Sequence, residues 1–275
     1  VENGNIWGQA KSVSRDDKRR YYFHEPTMSF CPPNGNVWSI KAKTLVYDPN
    51  KNLVILEGAA LLNYDYTLVS LPYLNFATEG RKSGFLKPDI EWTPYGGTAI
   101  FVPYYFNLAE NYDATVEVTS LSDRGVLFDN EFRYLGQGRT RSLINFAYLE
   151  NDDEYGDDRY IYKIDDYRNL HNTLVSSSNG LIGSIINSDI SYNRVSDRDY
   201  FNDFGNSQST VSQSSVKREF RLFGETYTDK NIYSYELSSL SYQPSTTGVT
   251  EQYETVPSFK FNYKNKNSSE FNYNI

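Results

Sequence analysis

The sequence predicts an all-β protein, and its composition gives two reasons for this fold class. The chain of 275 residues contains 25 Tyr and 16 Phe against one Met and one Cys. Aromatic residues favour β-strands, whereas Asn, Asp, Ser and Gly, which are frequent here, favour the turns between strands. The length allows one large β domain or two smaller ones.

The composition also restricts the kind of environment and partner. No run approaches the roughly 20 apolar residues that a membrane-spanning helix needs. A transmembrane β-strand needs only about 9–11 residues with one apolar face, and a mean hydropathy of −0.63 is compatible with such strands. A soluble sandwich or β-helix fits the same figures. The net charge of −8 argues against a nucleic-acid partner, because phosphate binding needs a basic surface.

An internal repeat occupies residues 4–64. The sequence Gly4-Asn5-Ile6-Trp7, followed by Ala10-Lys11, returns as Gly35-Asn36-Val37-Trp38, followed by Ala42-Lys43. An Asp-containing turn and a second β-rich run follow each copy, so each unit is predicted to be strand, turn, strand. Such units stack on one another because neither buries its apolar face alone.

In the second copy, the alternation of side chains predicts one apolar face and one polar face. The apolar face is formed by Trp38, Ile40, Ala42 and Val46. One interpretation is an ordinary sheet that buries its core. The other is a sheet curled into an open groove whose apolar interior holds an acyl chain.

The stretch 81–115 follows a connector at 71–78 and contains two prolines within predicted strands, Pro88 and Pro103. A proline cannot donate a ladder hydrogen bond, so it belongs at a sheet edge, at a bulge or where pairing is weak. We therefore predict a seam in the sheet here. The domain boundary is placed just before this stretch, with residues 1–76 as one domain and 77–275 as the next.

After residue 80, about ten strands are predicted without a convincing helix. They cover residues 85–92, 99–106, 114–121, 126–135, 142–149, 160–174, 181–195, 216–227, 232–242 and 253–263. Some connections are tight, whereas those at 151–159 and 197–215 are long and acidic. Short turns at one end and long loops at the other are typical of an outer-membrane barrel.

Six motifs in order resemble the family of lipopolysaccharide-assembly outer-membrane proteins (LptD). They are RKSGFLKP at 81–88, PYYFN at 103–107, NYDAT at 111–115, LSDRG at 121–125, EFRYL at 131–135 and VSDRDYFNDF at 195–204. The repeat at 4–64 is similar to the end of that family's periplasmic β-jellyroll. The resemblance covers essentially the whole chain.

The resemblance implies a membrane translocon that makes and breaks no covalent bond. A periplasmic jellyroll would receive lipopolysaccharide from a soluble bridge protein of the same repeat type. The lipid would then leave a large outer-membrane barrel, plugged by a lipoprotein, through a lateral gate. Pro88 in the first barrel strand and Pro103 in the second would lie beside that gate. Cys31 would form a disulfide with a cysteine near the C-terminus.

The chain starts at Val1 without a signal peptide, and we expect it to be an excerpt of a longer exported protein.

No catalytic or metal site is predicted. The acidic loop with Asp152, Asp153, Glu154, Asp157 and Asp158 lacks the spacing of a calcium loop and is interpreted as a solvated surface loop. Asp197, Asp199 and Asp203 are interpreted as groups that order a loop by capping turns. The residues His24, His171 and Cys31 show no metal-ligand spacing, and no cofactor motif appears.

Two other functions remain open at this point. One is a different outer-membrane β-barrel, such as a porin-like channel, although a porin has no reason to carry an acyl-chain groove. The other is a soluble β-rich adhesin or carbohydrate-binding protein, which would have a closed two-layer core.

Overall fold

The structure is a computed structural model that describes residues 7–29, 38–64, 66–86, 88–178, 180–204, 215–246, 254–266 and 273–274. It confirms the all-β fold class, with 71% strand, 2% helix and curled antiparallel sheets consistent with a jellyroll and part of a barrel. Within the described residues, no helix is long and apolar enough to cross a membrane.

The chain divides into two compact units, Val1–Glu91 with Ile100–Leu108, and Trp92–Ala99 with Ala109–Ile275. The strands of the first unit are β1 (Trp7–Gln9), β2 (Ser12–Arg15), β3 (Tyr21–His24), β4 (Thr27–Ser29), β5 (Trp38–Lys41), β6 (Thr44–Asp48), β7 (Leu53–Asn63), β8 (Tyr66–Ala77) and β9 (Gly84–Phe85). Strands β10 (Asp89–Thr93) and β11 (Gly97–Phe106) each run through both units. The boundary between domains at residues 76 and 77 stays a prediction.

The first sheet is bent along a line that crosses its strands. Its order is β1-β4-β5-β7-β6-β3-β2, with β8 on the other side of β7. Strand β7 is continuous and pairs with β6 through its first half and with β5 through its second half. The other strands of this order form pairs that are consecutive in the chain: β1 with β2, β3 with β4, and β5 with β6. Each pair crosses the sheet as one long strand with a bend in the middle. The sheet is therefore a meander of bent strands.

Main-chain hydrogen bonds continue across this bend. Lys11 N donates to His24 O (3.0 Å), Glu25 N to Lys43 O (2.9 Å) and Lys43 N to Glu57 O (3.0 Å). In β7 the bend falls at Gly58, whose φ of +59° is a conformation that favours glycine. The structure thus explains the Ala-Lys pairs of the sequence repeat, since both lie at the bend.

The core of the first unit lies on one face of this bent sheet. It contains the buried side chains Met28, Trp38, Ile40, Ala42, Leu56, Ala59, Leu61, Leu74 and Phe76. In a straight strand, residues three positions apart point to opposite faces. Leu56 and Ala59 nevertheless share this face, because the bend at Gly58 shifts the alternation of β7 by one residue. Both halves of the sheet consequently direct apolar side chains toward the same interior.

The strands of the second unit follow each other as an antiparallel meander. They are β12 (Tyr112–Leu121), β13 (Gly125–Leu135), β14 (Arg141–Leu149), β15 (Arg159–Asn172), β16 (Val175–Ser177), β17 (Gly180–Val195), β18 (Ser215–Tyr227), β19 (Asn231–Pro244), β20 (Thr255–Asn265) and β21 (Tyr273–Asn274), with one short helix, α1 (Tyr200–Phe204). From β12 onward, each described strand pairs with the next one, with one exception. Strand β15 pairs with β17, and the short β16 pairs with β17 beside this main order. The predicted strands after residue 110 agree closely with these.

The second sheet has two chemically different faces. One, the aromatic face, exposes at least one large apolar residue on each of eight strands, among them Val118, Phe128, Ile144, Tyr162, Tyr192, Phe220, Leu237 and Phe259. The cross-strand register places these on the same side, as with Val118 opposite Phe128 and Leu237 opposite Phe259. The polar face carries charged pairs such as Arg221 and Glu236 (3.1 Å). This alternation is what a wall between lipid and water requires.

Two predictions of secondary structure are wrong. The predicted strand at 85–92 is interrupted, since β9 ends at Phe85 and β10 begins at Asp89. A helix that the sequence did not indicate, α1, follows β17 and buries Tyr200, Phe201 and Phe204.

Candidate functional site

An apolar cavity of about 320 Å³, counted with its open mouth, lies in the first unit. Its lining residues are Ile40, Ala59, Leu61, Val69, Leu71, Leu74, Pro88 and Val102. Every one of these side chains is apolar, so the cavity offers contact but no hydrogen bond from a side chain. Because this volume includes solvent at the mouth, it is an upper limit on the space that a ligand can fill.

Three of the four predicted groove residues lie in this interior. Ile40 lines the cavity, and Trp38 and Ala42 are buried in the core around it. Val46 does not share their face, because it pairs with Ile55, whereas its neighbour Leu45 pairs with the buried Leu56. The physical reason is the bend between β5 and β6, which shifts the alternation by one residue. The apolar face therefore continues through Leu45 and not through Val46.

The segment between β9 and β10 connects the cavity to the two prolines. Phe85 pairs with Tyr104 of β11, and their rings meet edge to face at 4.9 Å. The next ladder position contains Leu86 and Pro103, where Leu86 N donates to Pro103 O (2.9 Å). Pro103 has no N–H, so the return hydrogen bond of this pair cannot form.

Pro88 follows two residues later, directly before β10, and is buried against the cavity. It removes another N–H from the same short segment. The structure thus places both prolines at a gap in one ladder, between the end of β9 and the start of β10. This is a more specific arrangement than the two intact strands predicted from the sequence.

A second buried site lies at the end of the second sheet where the long loops are. We call it the loop-end cluster, and it consists of Arg124, Asp152, Arg159, Asp197 and Asp203. Arg159 and Asp152 have no exposed surface. Such deep burial of ionised groups requires partners with good geometry, because isolated buried charges are strongly unfavourable.

The two arginines of the loop-end cluster share their carboxylates. Asp152 Oδ2 lies 2.6 Å from Arg124 Nη1 and 3.3 Å from Arg159 Nη1. Asp203 Oδ2 lies 2.9 Å from Arg159 Nη1 and 3.2 Å from Arg124 Nη2, while Asp197 pairs with Arg159 Nε at 2.7 Å. Asp152 belongs to the loop before β15, whereas Asp197 and Asp203 both belong to the segment after β17. The cluster therefore joins the turn at 121–125, the loop at 150–158 and the segment 196–204.

Aromatic rings complete the loop-end cluster. The guanidinium of Arg159 lies 4.3 Å from the ring centre of Tyr155 and 5.1 Å from that of Phe204. Burial, and then the charge of Asp129, raises the pKa of the Tyr200 hydroxyl. Arg124 also donates from Nε to the carbonyl of Tyr95 in the turn between β10 and β11. The helix α1 is thus fixed over the polar face of the sheet.

The sequence prediction of the acidic loop was wrong in one respect. Asp152 is not solvated, because it is fully buried between two arginines. Asp197 does cap a turn, accepting the N–H of Asp199 at 2.8 Å, but it also pairs with Arg159. The sequence held one signal, since Arg124, Asp197 and Asp203 lie inside two of the six quoted motifs. Arg159 and Asp152 lie outside them.

Within the described ranges, no three His, Cys, Asp or Glu side chains come together in a way that could hold a metal ion. Cys31 lies outside the described residues, so its predicted disulfide stays a prediction.

Comparisons with known proteins agree on one family. The family model for LptD, described as LPS transport system D, matches residues 171–275. The LPS-assembly protein LptD of Nitrosomonas eutropha is 34% identical over 220 residues, covering 80% of this chain and 29% of the relative. That of Pseudomonas aeruginosa strain LESB58 is 30% identical over 271 residues, covering 95% of this chain and 27% of the relative. The chain thus spans less than a third of the length of these relatives.

Proposed function

Because this chain belongs to the LptD family of LPS-assembly proteins, we propose that it is part of a translocon that inserts lipopolysaccharide into the outer membrane. Its first unit holds the acyl chains, and its second unit forms part of the barrel wall. The N-terminal part lies in the periplasm. The transfer proceeds by binding and release, without covalent chemistry.

The observation that carries this proposal is the uncharged cavity. Its eight lining side chains are all apolar, and it extends from Ile40 in the bent sheet to Pro88. Acyl chains gain free energy when their apolar surface leaves water, at about 25 cal/mol per Å². A cavity without polar lining side chains suits an acyl chain better than a sugar, because buried hydroxyl groups need hydrogen-bond partners.

A cavity-filling substitution tests this role. Ala59 is buried and lines the cavity, whereas Ala60 is half-buried on the next position of β7 and therefore points to the other face. In the complete protein, Ala59→Phe should lower the amount of lipopolysaccharide at the cell surface, and Ala60→Phe should leave it near the wild-type level. Normal delivery by a correctly assembled Ala59→Phe variant would overturn the proposal.

The gap at Pro88 and Pro103 acts as the lateral gate. Each proline removes one donor from the ladder, and a hydrogen bond contributes about 0.5–1.5 kcal/mol net. The cavity lies directly against Pro88, so an acyl chain held there would be close to the position where strand pairing is weakest. Combined Pro88→Ala and Pro103→Ala substitutions should strengthen pairing and impair lipopolysaccharide delivery. Unchanged surface lipopolysaccharide would exclude this role for the two prolines.

The aromatic face of the second sheet faces lipid in this proposal. Eight strands each expose a large apolar side chain on that face, which would be unfavourable in water. The polar face then lines the barrel interior, and the plug lipoprotein binds against it. This arrangement follows the alternation expected of outer-membrane strands.

The bridge protein of the same repeat type binds at the outer edge of the first sheet. Among the described strands, β1 pairs only with β4 and β2 pairs only with β3, so the pass 7–15 is an edge. An edge strand presents unpaired main-chain groups to which a further repeat can add. Crosslinking from Val13, which is exposed in β2, should capture the bridge protein.

Cys31 forms a disulfide with a cysteine near the C-terminus of the complete protein and fastens the first unit to the barrel. Mass analysis of the full-length protein under non-reducing conditions tests this pairing. A free thiol at Cys31 in the assembled protein contradicts it.

A further inference from the structure

Two arginines lie on the aromatic face of the second sheet, near the end that carries the loop-end cluster. Arg194 of β17 lies opposite Tyr162, and Arg218 of β18 lies opposite Tyr192. Because directly opposed residues share a face, both side chains extend from the surface that exposes Tyr162, Tyr192 and Phe220. They stand just beyond the apolar residues, toward the loops.

The two arginines lie on neighbouring strands of the sheet. Tyr192 and Arg218 are directly opposite, and Arg194 lies two positions further along β17, so their Cα atoms are about 7–8 Å apart across the diagonal. Each lies over an aromatic ring, since Cζ of Arg194 is 5.9 Å from the ring centre of Tyr160 and Cζ of Arg218 is 5.5 Å from that of Tyr192. Stacking of this kind orients the planar fork of donors.

Neither arginine has a carboxylate partner among the residues that the structure describes. Arg218 donates to two neutral oxygens, Asn193 O (3.1 Å) and Gln243 Oε1 (2.6 Å). Arg194 is exposed, and its guanidinium lies over the ring of Tyr160. Arg221, on the same strand as Arg218 but on the polar face, instead pairs with Glu236 at 3.1 Å and Asp189 at 3.9 Å.

An acidic side chain next to the aromatic face is already engaged. Asp158 accepts Tyr148 Oη at 2.7 Å and the N–H of Asn151 at 3.0 Å. The hydrogen bond from Asn151, followed by that from Tyr148, lowers the pKa of this carboxyl group, so it stays ionised and bound to these donors. Both of its oxygens are occupied by these neutral donors, and within the described residues no ion pair joins it to Arg194 or Arg218.

We propose that Arg194 and Arg218 together bind a phosphate group of lipopolysaccharide that resides in the leaflet next to the loop end of the sheet. This inference rests on the proposed membrane location of the second unit. The acyl chains would cover the apolar residues, including Phe220, and the phosphate at their polar end would reach the two guanidinium groups. Arginine suits this role because its fork matches phosphate oxygens and its stem packs along apolar surface. The bound lipid is a resident neighbour of the wall and not the molecule in transit.

The test uses the full-length protein with its plug partner in nanodiscs. A photoreactive phenylalanine analogue at Phe220, two residues from Arg218 on the same face, reports the neighbouring lipid. The nanodiscs contain phosphatidylethanolamine and either phosphorylated or enzymatically dephosphorylated deep-rough lipopolysaccharide at equal mole fraction. We expect the phosphorylated form to crosslink about tenfold more, and combined Arg194→Gln and Arg218→Gln to abolish that preference.

Two control variants keep the result interpretable. Combined Arg194→Lys and Arg218→Lys keeps the charge and should retain part of the preference, while Arg221→Gln on the polar face should retain all of it. If both forms of lipopolysaccharide crosslink equally, and the Arg194→Gln and Arg218→Gln variant behaves like the wild type, the phosphate site is overturned but the membrane location is not. Crosslinking to no lipid in any nanodisc overturns the location as well, and the phosphate site with it.

Discussion

Among the described residues, the two units differ in whether they bury charged side chains. The interior of the first unit is apolar, with Ile40 and Leu56 almost completely buried beside an uncharged cavity. At the loop end of the second unit, Arg159 and Asp152 are buried just as completely. Apolar contact is non-directional and tolerates a sliding acyl chain, whereas a shared set of ion pairs is satisfied only in one geometry. The first interior suits a moving ligand, and the second suits loops that must stay in place.

Removal of Arg159 should have the largest effect on stability. Arg159→Met leaves three carboxylates of the loop-end cluster with one arginine between them, and breaking such a buried pair costs about 3–5 kcal/mol. We expect much faster protease cleavage in the segment 196–204 and a lower midpoint of thermal unfolding for the full-length protein.

The matched control for this change is Arg141→Met, because Arg141 is exposed on the same face and, in the part of the chain that the structure describes, has no ion pair and lies 6.0 Å from the ring centre of Tyr167. It should change neither readout appreciably. Equal effects of the two substitutions would mean that the buried ion pairs do not fix the loops.

Truncation in the apolar interior should rank next. Leu56→Ala removes a side chain with no exposed surface, and such core truncations cost about 2–5 kcal/mol. Ile55→Ala, one residue earlier and half-buried on the opposite face, should cost clearly less. Chemical unfolding of the two variants measures the difference, and a larger loss for Ile55→Ala would place the core on the wrong face.

A smaller loss is expected at the bend of the first sheet. Gly58 has a φ of +59°, and a Cβ added there would lie 3.0 Å from Lys43 Cγ and Cδ. The left-handed conformation costs a residue with a Cβ about 1–2 kcal/mol. Gly80→Ala is the control, since its φ of +74° is similar but nothing lies within 4 Å of its added Cβ. If Gly58→Ala is no more destabilising than Gly80→Ala, contact with Lys43 is irrelevant to the bend.

The smallest expected effect is the pH-dependent contribution to stability of Asp16, in the turn after β2. Partial burial opposes ionisation of Asp16, but hydrogen bonds from Arg20 N (2.9 Å) and Nε (2.7 Å) outweigh it and lower the pKa of this carboxyl group. A pKa that is lower in the folded state adds stability above the unfolded value of about 3.9, and this stability is lost as the pH falls through the folded value. Asp16→Asn should therefore be less stable than the wild type at about pH 7, and this gap should close at about pH 2. A gap that widens in acid would contradict the sign of this shift.

The sequence predicted the regular part of the fold well because local signals determine it. Strands such as β13 and β14 are bounded by turns and alternate between apolar and polar residues, so their ends fell within about two residues of the prediction. Alternation fails where a strand bends. Val46 was assigned to the wrong face because the bend between β5 and β6 is a feature of the whole sheet.

The rest of the candidate site depends on contacts between distant parts of the chain. Nothing in the local sequence distinguishes the buried Asp152 from the neighbouring Asp153, since only the folded loops bring Arg124 and Arg159 to it. Pro88 and Pro103 were recognised as unusual, but their common position at one gap required the register of β9 with β11. Composition indicated which residues were available, and topology determined which of them meet.

The central claim is that the apolar interior of the first unit holds the acyl chains of lipopolysaccharide. The most direct measurement places a small photoreactive leucine analogue at Ile40, which lines the cavity, or at Ile55, which lies on the opposite face. In cells that are delivering lipopolysaccharide, the account predicts strong crosslinking to its acyl chains from position 40 and little from position 55. Equal crosslinking from both positions, or none from position 40 in a protein that delivers normally, would contradict it.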